Sequence, residues 1–471
     1  MENIREARTQ TKTQTILLII VLLLMSYCSN PIEVPVEVPI RETKPEIISK
    51  PVTYGSVNQQ YSYDVNTTGN SSAAYTLTTS PPGMTIDPST GMILWIPSAN
   101  NDFKVGVTVK ATNEFGSSSQ TFYIRVGGLQ IEGWETSIFP IVNMEQAKID
   151  SFLTLRENGS YPKIHSVIVI KDGKLVLEEY FRGIPYHWPF HYGQEIQFQR
   201  SMLHHNASAT KSFISILMGI ALENNFIVSL NEAPFDYFPE YESYLNWNDL
   251  KSQITLEHLI TMTAGFDWQE DGESFFSLIY PTSDWIKSTL DLPVNHTPGN
   301  YWDYFSPGPD VLGTVISKAS GLHLSEFARQ YLFDPMGITD AEWYITPTRR
   351  AFGGGCHRMR PIDMAKIGFL ILNNGSWQGQ QIISPSWIAE STLERNEDYG
   401  YLWWKFDIRS DNSLIKSTVA AGFGGQRIYI IPQLDAVIVF TAGYYNAGEE
   451  YLGGLHTHEI ITEYIVPSII N

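Results

Sequence analysis

Cysteine is almost missing from this chain: 471 residues contain two, Cys28 and Cys356. Two thiols cannot build a disulfide framework or a cysteine-based zinc site, so a stapled small fold and a zinc ribbon are both excluded. Positive charge is scarce as well. Lys+Arg number 31 against 50 Asp+Glu, a net charge of −19, and no basic run is present. Such a chain lacks the cations that displace counterions from a phosphate backbone, which argues against nucleic acid as a partner. Charged residues make up 17% of the chain, below the roughly 25% of average domains. Tyr, Phe and Trp number 25, 23 and 12, so aromatic and uncharged polar side chains must cover much of the surface. Two motifs are also absent. Without H-E-x-x-H the zincin arrangement is excluded, and without G-x-S-x-G the α/β-hydrolase nucleophile elbow is disfavoured.

The length allows about three domains at roughly 150 residues each, or one small module and one large domain. At the N-terminus, Arg5, Arg8 and Lys12 precede a ten-residue apolar run from Ile16 to Met25, followed by Ser26, Tyr27 and Cys28. That run is too short for a bilayer span, which needs about 20 residues. It resembles a bacterial lipoprotein signal over residues 1–28, which implies that Cys28 is lipidated and that the mature chain sits on the cell envelope, facing the periplasm or exterior. Tyr27 stands where such signals carry a small residue, and an uncleaved anchor is the alternative. Residues 29–45 carry Pro31, Pro35, Pro39 and Pro45, which disfavours helix and gives an extended, semi-rigid linker.

Residues 46–127 alternate short apolar and polar positions, as in Tyr61, Tyr63, Val65 and in Val105, Val107, Val109, then Phe122, Ile124, Val126. Each set lines one face of a strand. Turn signals at Pro81-Pro82-Gly83 and over Asp87 to Gly91 separate them. The pattern predicts an all-β sandwich, and the stretch YTLTTSPPGMTIDPSTGMILWIP with VTVKATNEFG resembles immunoglobulin or cadherin-like modules of bacterial surface proteins. That resemblance implies a spacer or an element that contacts the cell envelope.

Residues 128–471 mix longer helical and strand patterns and contain the chemistry. Val167 to Ile170 and Leu175 to Leu177 flank Asp172-Gly173, a hairpin signal. His204-His205-Asn206-Ala207-Ser208-Ala209-Thr210-Lys211 then runs into SFISILMGIALENN, apolar nearly all round and so a buried helix. Ser208 and Lys211 are three apart at its start, on one face. Burial that depresses the lysine pKa lets Lys211 accept the Ser208 proton. The bland alternative is a helix N-cap beside a solvated lysine. A second S-x-x-K pair, Ser413 and Lys416, lies in a strand-like stretch where residues three apart point to opposite faces, and it is read as a decoy.

Further segments decide between these readings. ITLEHLITMTAGF at 254–266, PGNYWDYFSPGPDVLG at 298–313, GGGCHRMRPIDMAKIGFLILNNG at 353–375, GYLWWKF at 400–406 and AAGFGGQRIYIIPQLDAVIVF at 420–440 follow one another as in the serine β-lactamase and penicillin-binding protein superfamily. The chain resembles its class C and esterase branch, which includes 6-aminohexanoate-dimer hydrolase-like enzymes. This resemblance implies an α/β (α+β) β-lactamase/transpeptidase-like domain with a central antiparallel sheet and helices, and a serine hydrolase that uses no cofactor. It makes Ser208 the acylated nucleophile, Lys211 the proton acceptor and Tyr304 a second acid/base, its pKa lowered by the nearby ammonium. It also places Ser306 at the position of the family's usual Asn. Ala420, Ala421 and Gly422 fall at the substrate-binding triplet, and the N–H groups of Ser208 and Phe423 become the oxyanion donors.

Other residues tempt a metal reading, and none sustains it. His187 and His191 are separated by Pro189, which disfavours a shared helix face. His204 and His205 are adjacent, His456 and His458 lie two apart, and neither pair belongs to a ligand motif. His258 reads as a structural, hydrogen-bonded histidine and Cys356 as a free packed thiol. Trp268, Phe275, Phe276, Trp285, Tyr301, Trp302, Trp403 and Trp404 lie in the segments around the expected site and suggest an aromatic-walled cleft. The sequence therefore points to an exported esterase or amidase acting on a small-molecule or peptide-like acyl substrate. A β-lactamase or DD-peptidase and a catalytically idle envelope-binding protein are the alternatives.

Overall fold

Within Ile164–Lys171, the run Val167 to Ile170 is apolar on both faces, which a strand tolerates only in the middle of a covered sheet. In the computed structural model it is such a strand. The structure describes residues 43–68, 72–187, 191–270, 274–396, 398–410, 413–446 and 450–469. The signal-like segment with Cys28, and the linker up to residue 42, lie outside the described residues. Two compact units are present, one formed by 43–52, 62–94 and 106–122, the other by 53–61, 95–105 and 123–469. Among the described residues no helix is long and apolar enough to cross a membrane.

The smaller unit is made of short antiparallel strands. Glu46–Ile47 pairs with Thr67–Thr68, Ala74–Thr79 with the strand that follows residue 106, and Thr85–Ile86 with Ile93 and Leu94. The expected alternation is real: Tyr63, Val65, Val107, Val109 and Phe122 are buried while their neighbours are not. The Tyr63 ring meets Phe122 edge-on, and its hydroxyl donates to the Ser49 carbonyl at 3.0 Å.

The larger unit is built on an eight-stranded sheet. Its strands in chain order are β1 (Gln130–Ile131), β2 (Trp134–Thr136), β3 (Ile164–Lys171), β4 (Lys174–Tyr180), β5 (Trp404–Ser410), β6 (Ser413–Gly422), β7 (Gln426–Ile431) and β8 (Ala436–Ala442), arranged β1-β2-β4-β3-β8-β7-β6-β5. Every neighbouring pair is antiparallel except β2 and β4. Asp172 and Gly173 both adopt positive φ, 52° and 69°, as a two-residue hairpin matching strand twist requires. Strands β1 and β2 precede this hairpin and extend the sheet beyond β4.

Helix α1 (Gln146–Glu157) and the C-terminal segment containing α5 (Glu450–Ile460) contribute Ile149, Phe152 and Ile460 to the core on one face, against Val167, Val419, Tyr429 and Phe440. The other face carries α4 (Pro361–Leu372). Gly368 makes that approach possible, because a Cβ there would lie 2.5 Å from Val437 and 2.6 Å from Ile428. Helix α2 (Thr210–Glu223) is buried from Thr210 to Ala221 and packs against α3 (Gly308–Ser320). An all-round apolar helix has nowhere else to go.

Candidate active site

The segment before α2 is pinned before it turns. His204 and His205 pair with Met359 and Arg358, and the Asn206 N–H donates to the His357 carbonyl at 2.8 Å. Ala207 then takes φ 47°, a left-handed conformation that disfavours any residue with a Cβ. The strained residue redirects the chain into a tight turn, Ala207–Ala209, that leads straight into α2. Ser208 therefore stands in the first turn of a buried helix, half-buried, where main-chain N–H groups lack helical partners.

Lys211, one turn on, is 1% exposed. Its Nζ donates to Ser208 Oγ at 2.8 Å and to the Gly354 carbonyl at 2.6 Å. The loop that presents this carbonyl depends on its glycines, since a Cβ on Gly353 would lie 2.4 Å from the Pro309 carbonyl oxygen and one on Gly354 2.6 Å from that of Ser306. Asp310 on α3 fixes the loop by accepting from the Gly353 N–H at 3.0 Å. Burial raises the Asp310 pKa to about 7. Burial also lowers Lys211 to about 8, against the opposing pull of Glu270 and Cys356. The expected depression of the lysine is present and desolvation is its main cause.

Tyr304 faces the same pair. Lys211 Nζ lies 5.1 Å from the centre of its ring, and its hydroxyl is a hydrogen-bond partner of Ser208. One expectation is corrected here. Burial, and then the charge of Glu270, push the Tyr304 pKa up, outweighing the hydrogen bond from Ser208 and the charge of Arg427. Tyr304 is thus a neutral phenol that can donate or relay a proton, and Lys211 is the group poised to take one.

Ser306 does not reach Lys211. Its hydroxyl donates to Glu270 at 2.6 Å and its N–H to the same carboxylate at 3.1 Å, while Trp268 Nε1 donates there at 2.8 Å. Glu270, Gly354 and Asp310 were not singled out in the sequence. Glu270 lies four residues beyond the ITLEHLITMTAGF segment, and no local pattern marks a carboxylate that acts across the fold. Glu270, Trp268, His296, Tyr301 and Asp303 line a cavity of about 510 Å³.

The strand expected to supply an oxyanion donor is open at that end. Pairing of β5 with β6 runs from Ser410↔Ser413 to Trp404↔Val419 and stops there. Among the described residues Ala420, Ala421 and Gly422 pair only with β7. Their free edge faces the Ser208 turn: a Cβ on Gly422 would lie 2.3 Å from the Asn206 carbonyl oxygen and 3.1 Å from the Ala209 nitrogen. Phe423 follows, 45% exposed. Ala420 is fully buried. At the far end of β6, Lys416 pairs with Asp407 at 2.7 Å on the surface, consistent with its being a decoy.

The aromatic residues split into groups. Tyr304 stacks on Trp404 at 5.5 Å, with Trp302 and Tyr399 completing a wall; Tyr399 is an addition to the expected set. Trp268 packs on Phe305, and Tyr301 stacks on His296 at 4.2 Å. Phe275 and Trp285 instead meet Phe352, with Phe276 against Phe275. Trp403 is fully buried and serves the core.

Four buried histidines surround the segment before Ser208. His165 Nδ1 donates to His204 Nε2 at 2.9 Å, because His204 Nδ1 donates to the His205 carbonyl at 3.1 Å. Asn206 Nδ2 donates to His357 Nδ1 at 3.1 Å. Burial pushes His204 down to about 4 and His205 and His357 to about 3, with His165 lowered as well. His258 closes a capping box with Thr255, a structural position as expected. His187 and His191 are antiparallel strand partners and share no helix. Among the described residues no three His, Cys, Asp or Glu side chains come together as a metal site.

A serine at a helix start, a buried lysine on its hydroxyl, a tyrosine beside both and an open strand edge opposite are the parts that acyl transfer through a serine requires. The family comparison agrees. The model described as "Beta-lactamase" matches residues 165–450, more than half of the chain, and the chain belongs to that family. Residues 44–127 match the model described as "Putative Ig domain". Among curated proteins, a lovastatin esterase from Penicillium rubens is 31% identical over 90 residues, 19% of this chain and 22% of the relative. A 6-aminohexanoate-dimer hydrolase from Paenarthrobacter ureafaciens is 23% identical over 172 residues, 33% of this chain and 43% of the relative. The matches thus span less than half the length of these curated relatives. A solved structure titled "Putative 6-aminohexanoate-dimer hydrolase from Bacillus anthracis" superposes with a TM-score of 0.54 at 19% identity, covering 72% of this chain and 90% of its own, a likeness of fold. The family thus includes both esterase and amide-hydrolase relatives.

Proposed function

We propose that the chain is an exported serine esterase or amidase, of the class C-like branch, that acts through an acyl-enzyme at Ser208. The observation that carries this reading is the 2.8 Å contact of a buried Lys211 with the Ser208 hydroxyl, with burial bringing the lysine to about 8. Neutral Lys211 takes the hydroxyl proton as Ser208 Oγ bonds to the substrate carbonyl carbon. The resulting oxyanion is held by the N–H groups of Ser208 and Phe423. Tyr304, a neutral phenol, passes its proton to the departing alkoxide or amine as the tetrahedral intermediate collapses, and the Lys211 ammonium returns a proton to the phenolate, which restores both groups. Water then repeats the sequence on the acyl-enzyme and frees Ser208.

Small uncharged esters and amides suit this site better than β-lactams. A β-lactam antibiotic carries a carboxylate, whereas the cavity beside Ser306 is walled by Glu270, Asp303 and aromatic rings, and Ala420 offers no charge. Arg427 does not supply the missing cation, because its guanidinium is held on main-chain carbonyls. Like charges opposed at a partly desolvated site disfavour the complex. The Cys28 signal pattern supports lipid anchoring on the cell envelope, with the sandwich module as a spacer or envelope contact.

The test is fluorophosphonate labelling of the soluble chain with peptide mapping, followed by kcat/KM for a short p-nitrophenyl ester, a linear amide dimer and a chromogenic cephalosporin. Label on Ser208, loss of turnover in Ser208→Ala, and ester or amide hydrolysis well above cephalosporin hydrolysis are expected. Label on Ser413, or cephalosporin turnover equal to the ester's, refutes the proposal. Absence of both label and turnover in the folded chain favours the idle envelope-binding alternative.

A further inference from the structure

Behind the oxyanion strand lies a cation with an unusual set of partners. Arg427 on β7 donates from Nη1 to the Gly422 carbonyl at 2.6 Å and to the Gln426 carbonyl at 2.8 Å. Its remaining contacts include the Tyr429 hydroxyl. Its Nε is buried without a hydrogen-bond partner, and among the described residues no carboxylate lies within ion-pair distance of it. This half-buried guanidinium therefore directs its strongest contacts at main-chain carbonyls of the hairpin and at Tyr429 rather than at a carboxylate.

The Gly422 carbonyl belongs to the same planar peptide as the Phe423 N–H. In a trans peptide the two point in opposite directions. A carbonyl fixed toward Arg427 and β7 therefore fixes the N–H toward the open edge of β6, the edge that Gly422 presses against the Ser208 turn. The C-terminal helix closes the arrangement from behind. A Cβ on Gly453 would lie 2.6 Å from the Gly425 nitrogen, and one on Gly454 2.9 Å from Arg427 Nη2, so a glycine pair on α5 allows the helix to lie directly on the hairpin turn and on the guanidinium. We propose that Arg427, backed by Gly453 and Gly454 of α5, is a positioning residue that aims the Phe423 N–H at the developing oxyanion.

This role rests on the reading of Ser208 as nucleophile and Phe423 N–H as oxyanion donor, and it adds a residue that touches neither substrate nor reacting atoms. Removing an oxyanion donor outright lowers kcat about 10²- to 10³-fold; misdirecting one should cost about tenfold to a hundredfold. The experiment uses the soluble chain with Arg427→Met, Arg427→Lys and Gly454→Ala, each checked for folding by circular dichroism and thermal melting. kcat and KM for a p-nitrophenyl ester are measured, with the affinity of an arylboronic acid, whose tetrahedral serine adduct places an oxygen at the oxyanion position. In Arg427→Met, kcat and boronate affinity should fall together while KM changes little, and Arg427→Lys, which keeps a donor, should recover much of both. If Arg427→Met does not fold, Gly454→Ala, which forces the guanidinium to move, should show the same paired loss against the folded Arg427→Lys. Folded Arg427→Met with wild-type kcat and boronate affinity, or with lowered kcat and unchanged boronate affinity, overturns the role. Failure of the underlying reading is seen separately, as absence of Ser208 labelling in the unaltered chain.

Discussion

Burial of Lys211 makes catalysis depend on pH in a way that can be calculated. Lowering its pKa from 10.5 to about 8 corresponds to about 3 kcal/mol of lost preference for the ammonium. Only the neutral amine can take the Ser208 proton, so kcat/KM should rise about tenfold per pH unit below pH 8 and level off above it. At pH 6 the neutral fraction, and with it the rate, should be about one hundredth of the plateau. Glu270 raises the lysine pKa by its negative charge, so Glu270→Gln, which retains an oxygen for the Ser306 hydroxyl, should move the rising limb to lower pH. The assay is ester kcat/KM from pH 5.5 to 9.5 at constant ionic strength, corrected for spontaneous hydrolysis, for both proteins. A flat profile between pH 6 and 8, or a limb that moves to higher pH in Glu270→Gln, would refute the assignment of Lys211 as the base.

Lys211→Ala and Tyr304→Phe should each lower kcat by orders of magnitude, and the double variant should lose far less than the product of the two, because both act on one proton path; multiplicative losses would separate them. His204, His205 and His357 have native pKa values near 4, 3 and 3, below the unfolded value of about 6.5. Acid therefore protonates the unfolded chain first: stability is unaffected above about pH 7.5 and falls by roughly 4 kcal/mol per pH unit for the three together once the pH is well below 6.5. The slope of unfolding free energy against pH, from urea titrations between pH 6 and 4.5, should drop by about 1.3 kcal/mol per pH unit in His357→Gln, and an unchanged slope would contradict the histidine origin. Cys28 should incorporate labelled palmitate in cells and the chain should sediment with membranes; a Cys28→Ser variant that labels and partitions as before would remove the anchor.

The parts legible in the sequence are those that local chemistry announces. Ser208 and Lys211 could be read because helical spacing brings residues three apart together, and the apolar run after them shows that the helix is buried. The hairpin at Asp172-Gly173 and the alternation in Tyr61, Tyr63 and Val65 are likewise properties of neighbours in the chain. What escaped is set by distant segments. Nothing next to Glu270 says that its charge bears on Lys211 and Tyr304, and nothing next to Gly354 says that its carbonyl will hold the lysine. The Tyr304 expectation went wrong for a related reason. A nearby ammonium lowers a phenol pKa, but here burial is the larger effect and Glu270 adds to it.

These pieces share one physical device. Lys211 is made easier to deprotonate, Tyr304 is kept protonated and the histidines before Ser208 are held neutral by the same removal of water, with desolvation the leading cause at each. Desolvation shifts a cation and an acid in opposite senses, so one dry pocket yields a base and a proton donor side by side without a dedicated partner charge for either. That arrangement demands shape above all. It explains why glycines carry the close approaches at 353, 354 and 422, and why a left-handed Ala207 is tolerated immediately before Ser208. A carboxylate at Glu270 then adjusts the balance from the rim, raising both pKa values in the direction that keeps Tyr304 a donor and delays the loss of the Lys211 proton.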